Sequence, residues 1–133
     1  METVLLVHGH NRWLVAAVWG VLFVSLLWAR RGWSQGAFRL SRLALAILLV
    51  LFAVQFLLGL VLFVWKWQHS GQIPPYRWEH VVVMVAALGL THLPLRWRKL
   101  SPQQWWRRTF WLALAVGALV FVGVSRLPKG WLG

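Results

Sequence analysis

Five histidines, His8, His10, His69, His80 and His92, are the residues of this 133-residue chain whose chemistry could go beyond packing. Imidazole carries protons and ligates metals near neutral pH. Other chemistries lack their residues. Cysteine is absent, which excludes disulfides, iron–sulfur clusters, thiolate zinc sites and cysteine nucleophiles. Glu2 and Glu79 are the only acidic residues, so paired-carboxylate hydrolysis and calcium loops are excluded as well. No hydrolase or kinase motif occurs.

The elements that must position these histidines are apolar. The chain is 60% hydrophobic and 12% charged, against roughly a quarter charged in ordinary soluble proteins. Its mean hydropathy is +0.66. The net charge of +12 does not point to nucleic acid, because the basic residues punctuate apolar runs instead of lining one face. Run lengths, with Pro75 opening the third, predict an all-α, four-helix integral membrane bundle forming a single domain in the lipid bilayer. The expected helices are 5–29, 42–66, 75–93 and 108–126. Nine arginines and lysines fall in loops 30–42 and 95–108 or at their edges, against Arg12, Lys66, Arg77, Arg126 and Lys129 on the other side. The positive-inside rule then places both termini outside. The first helix is expected to be an anchor and not a cleaved signal, since no small-residue cleavage site follows it. Most of the 12 tryptophans, Trp33 and Trp105 among them, fall near helix ends where an interfacial belt belongs. Ala16 with Gly20, and Ala113 with Gly117, form small-residue stripes suited to helix contact, including contact outside the bundle.

Within this layout His8 on helix 1 and His80 on helix 3 lie at similar depth near the outer face. Helices 1 and 3 run in the same direction. Ionisable residues inside membrane helices face an interior, a cavity or a cofactor. Two imidazoles at one depth on two helices is the arrangement of bis-histidine haem ligation. Gly59 lies about 10 Å from the outer end of helix 2, where it would let a porphyrin edge approach. Gln55, one turn away, needs a polar partner. Arg12 and Arg77 are outer arginines that haem propionates would explain. Glu79 would pair with Arg12 or Arg77, or orient an imidazole. His10 is the rival ligand, about 200° around helix 1 from His8. His92, about 18 Å from His80, has no inner partner histidine and is a quinone or proton site or, more plainly, a snorkelling interface residue. The plain alternative for each histidine is a hydrogen bond to a neighbouring helix.

The segment His8-Gly-His-Asn-Arg-Trp13, with Gln55 to Gly59, Glu79-His80 and Thr91-His92, resembles a family of small four-helix bacterial membrane proteins labelled cytochrome b-like. The match is a histidine four residues before an Arg-Trp pair, met by His8 and not by His10, and a Glu-His pair opening helix 3. The resemblance implies one haem b and the bacterial cytoplasmic membrane. A b-type cytochrome carrying electrons, with quinol as a possible donor, is the first expected function. A cofactor-free accessory subunit of a respiratory or photosynthetic complex is the second. Either would associate with other membrane chains, as a homodimer or in a larger complex. A stand-alone enzyme is not indicated.

Overall fold

A computed structural model describes residues 1–32 and 34–132. Among them the chain is all-helical: α1 Glu2–Arg31, α2 Gln35–Ser70, α3 Pro75–His92 and α4 Pro102–Ser125, with short 3-10 segments at Leu93–Trp97 and Gly130–Leu132. α1 packs chiefly on α2 and α3 chiefly on α4, while α1 also meets α4 and α2 meets α3. The short connections make successive helices antiparallel.

α1, α2 and α4 run longer than the expected 5–29, 42–66 and 108–126, and α2 and α4 are capped by serines outside the apolar runs. Ser34 caps α2 by accepting from the Ala37 amide at 3.3 Å, so residues 35–41, expected in a loop, are helical. Ala37 and Ser41 face the bundle from this added turn. Ser101 with Pro102 starts α4 six residues before the expected 108, and Pro75 opens α3 as expected. Gly71, at φ 66°, ends α2 and turns its amide back to the Trp67 carbonyl at 2.9 Å.

All four helices are long and apolar enough to cross a membrane. The pattern of burial is inverted relative to a soluble domain. Val24, Val50, Val82 and Trp111 are each more than three-fifths exposed, while Asn11, Ser25, Ser41, Gln55, Thr91 and Thr109 are buried. The Ser25 and Ser41 hydroxyls meet at 2.9 Å and join α1 to α2 near one end. Trp106 donates through Nε1 to the Leu26 carbonyl at 2.6 Å and ties α4 to α1.

The small-residue stripe on α4 is used inside the chain. A Cβ at Gly117 would overlap the Trp19 indole, whose Nε1 donates to the Ala113 carbonyl at 2.7 Å. Glycine and alanine here let the N–H edge of an α1 indole reach the α4 backbone. Trp105 also departs from the belt expectation. It is 4% exposed and packs edge-on against Phe38. Trp33 lies outside the described residues.

Candidate functional site

His8 lies about 9 Å along α1 from Glu2, and His80 about 7.5 Å along α3 from Pro75, by the helical rise. With α1 and α3 parallel, the two imidazoles reach one level. Both line a small cavity of about 40 Å³, together with Arg12, Gln55, Met84 and Val124. Each of the four helices contributes to its wall.

Two hydrogen bonds set the state of the rings. His80 Nδ1 lies 2.8 Å from the Gly123 carbonyl on α4, and a carbonyl only accepts. The proton is therefore on Nδ1, and in the neutral ring Nε2 keeps its lone pair. Gln55 Nε2 lies 3.2 Å from His8 Nε2 and donates to the His8 carbonyl at 3.1 Å. The amide is oriented by Asn11, which donates through Nδ2 to Gln55 Oε1 at 2.8 Å and to the Leu51 carbonyl at 3.2 Å. Gln55 thus donates, and His8 Nε2 receives as a lone pair. His8 Nδ1 is buried without a hydrogen-bond partner. Both rings carry the tautomer that metal ligation through Nε2 requires.

The other three histidines are spent on their own helices. His10, His69 and His92 donate from Nδ1 to the carbonyls of Leu6, Trp65 and Leu88, each at 2.8 Å and each exposed. His10 consequently points away from the site.

Gly59 has a different role from the one expected. A Cβ there would stand 3.1 Å from His8 Cε1, so the glycine admits the imidazole itself against α2. Arg12 lines the cavity, donates to the Gly130 carbonyl at 3.1 Å and lies 5.9 Å from the Trp13 ring centre. Arg77 is not among the cavity residues; its guanidinium lies over Tyr76 at 5.9 Å. Glu79 pairs with Arg126 at 3.8 Å on the exposed surface, not with Arg12 or Arg77, because α3 turns residue 79 away from the cavity that receives His80.

Three participants escaped the sequence reading. Asn11 carried a signal, since it follows His8 by three residues on the same face and an amide on an apolar helix needs a partner. Met84 follows His80 by four. The Gly123 carbonyl carried none, because a backbone acceptor has no sequence signature.

A porphyrin-bound iron can be tested against this site. The donor set fits, with two Nε2 lone pairs on one cavity. The space does not fit: about 40 Å³ stands against the roughly 300–1,000 Å³ of cofactor pockets, and the Gln55 amide lies against His8 Nε2. A separate apolar cleft of about 540 Å³ lies between α1 and α4, lined by Trp13, Ala16, Trp19, Gly117, Phe121 and Trp131. It shares Val15 and Val120 with the histidine cavity. Among the described residues no cluster of three or more histidines and acids forms a metal site.

Comparison with protein-family models, with curated proteins and with solved structures finds no match to this chain.

Proposed function

We propose that this chain is a multi-pass protein of the bacterial cytoplasmic membrane that carries a redox-active metal at the His8–His80 pair and passes electrons through it. The observation that carries this reading is the placement: two imidazoles from two helices line one cavity, His80 held through Nδ1 and His8 met by Gln55 at Nε2. A b-type cytochrome is the form that the sequence resemblance implies. It requires Gln55 to leave His8 and the cavity to widen. Quinol as electron donor has support from the aromatic α1–α4 cleft, which is of cofactor size and adjoins the histidine cavity.

Orientation with both termini outside rests on charge. Arg30 and Arg31 end α1, Arg39 and Arg42 open α2, and Arg107 and Arg108 open α4, so the basic residues gather at the end opposite His8 and His80. Outward apolar side chains such as Val24 and Val82 suit lipid or the face of another membrane chain.

A cofactor-free accessory subunit is the second reading. The Asn11–Gln55–His8 network favours it, because those amides are satisfied without any ligand. Reduced-minus-oxidised absorbance, with metal and haem analysis of the purified protein, separates the readings. A redox-active centre lost in both His8→Ala and His80→Ala supports the first. Protein free of any metal after expression with ample iron, copper and haem supports the second.

A further inference from the structure

We propose that the histidine cavity binds a single cuprous ion, Cu(I), through Nε2 of His8, Nε2 of His80 and the thioether of Met84. The inference rests on reading the histidine pair as a metal centre, and it names the metal.

Size comes first. One water-sized sphere needs roughly 10–15 Å³ of such volume, so a cavity of about 40 Å³ holds a bare ion and little else. A macrocycle is too large for it.

The donors come second. Imidazole suits copper, and a thioether selects the soft cuprous ion over hard cations. Met84 follows His80 by one helical turn, and both line the cavity. Its sulfur lies beside the residue whose carbonyl holds His80: a Cβ built on Gly123 would stand 3.4 Å from Met84 Sδ. The bond from His80 Nδ1 to that carbonyl, at 2.8 Å, is the outer-shell contact that orients ligating histidines.

Charge decides among the metals. Among the described residues the cavity's donors are two imidazoles and a thioether, none of them an anion. The Born cost of leaving water rises with the square of the charge, so neutral donors repay least of it for a divalent ion. A monovalent ion with neutral ligands meets the smallest penalty, which places Cu(I) ahead of Zn(II) and Fe(II). On binding, the Gln55 amide yields His8 Nε2 to the metal and keeps its bond to the His8 carbonyl. No electron moves in this step.

The test is a competition between the full-length protein in mild detergent and the cuprous chelator bicinchoninate, run anaerobically with ascorbate. The protein is expected to withhold one copper per chain. His8→Ala and His80→Ala should each abolish this, while Met84→Leu, close in volume, should weaken it by about 10–100-fold. X-ray absorption at the copper edge should show nitrogen and sulfur scatterers, with the sulfur lost in Met84→Leu. The leucine variant keeps the test decisive should an alanine variant fail to fold. Release of all copper to the chelator overturns the proposal, as does retention unchanged in both histidine variants, which would mean surface histidines. Haem bound in place of copper, with the same histidine dependence, overturns the copper assignment and leaves the metal-centre reading standing. Neither metal bound removes both.

Discussion

Gln55 and His8 face each other across the α1–α2 interface, with the glutamine Nε2 3.2 Å from the imidazole Nε2 and 3.1 Å from the same residue's carbonyl oxygen. One amide thus reads both the side chain and the backbone of His8. Asn11, one turn along α1, fixes which end of that amide is oxygen. The three residues select a single tautomer of His8 before any ligand arrives.

Gln55→Leu should therefore cost more than its own hydrogen bonds. It leaves Asn11 with only its bond to the Leu51 carbonyl and frees His8 to change tautomer, and a buried donor left unsatisfied costs about 1–3 kcal/mol. The Asn11→Leu, Gln55→Leu double variant should be less destabilised than the sum of the singles, because it removes both members together. Thermal unfolding in detergent of the four proteins checks this. Strict additivity would refute the coupling.

Gly59→Ala places a methyl group 3.1 Å from His8 Cε1, so the ring or the helix must give. Overpacking of this kind costs about 1–3 kcal/mol. The expected result is a lower unfolding temperature together with altered metal or haem retention. Gly89→Ala, where an added Cβ meets nothing within 4 Å and which lines neither cavity, is the control and should be silent in both measurements.

Gly117→Ala should loosen α4 from α1, since the new Cβ overlaps the Trp19 indole. Adding Trp19→Leu should recover part of the loss by clearing the overlap, although it forfeits the bond to the Ala113 carbonyl. Unfolding measured for the pair of single variants and the double variant shows whether they interact. A double variant that merely sums two losses would mean the indole does not press on Gly117.

Topology is testable with cysteine labels, because the chain has none of its own. Gly36→Cys, at the basic end, should resist a membrane-impermeant maleimide in intact cells. Gln72→Cys, exposed beside the turn at Gly71, should react. Gln72 is the better outer site than Gly71, whose φ of 66° disfavours a side chain. Labelling in the opposite order inverts the bundle.

Hydropathy and end-signals make much of the architecture legible in the sequence. Four apolar runs separated by basic residues determine four helices, since a bilayer-length apolar run has no other way to satisfy its backbone. Pro75 marked the start of α3 because proline suits a first helical turn. That His8 and His80 lie at one level is also readable, because depth along parallel helices follows from counting residues. What the sequence left open is decided by direction around each helix axis and by what stands opposite. Glu79 is adjacent to His80 in the chain yet pairs with Arg126 outside, since neighbouring residues on a helix do not share a face. Gly59 looked like room for a porphyrin and is room for His8 itself. The Gly123 carbonyl orients His80 from another helix, and Gln55 caps the nitrogen a metal would take. Those contacts exist only once four helices are packed together, because they depend on azimuth and separation, which no residue count along one chain contains.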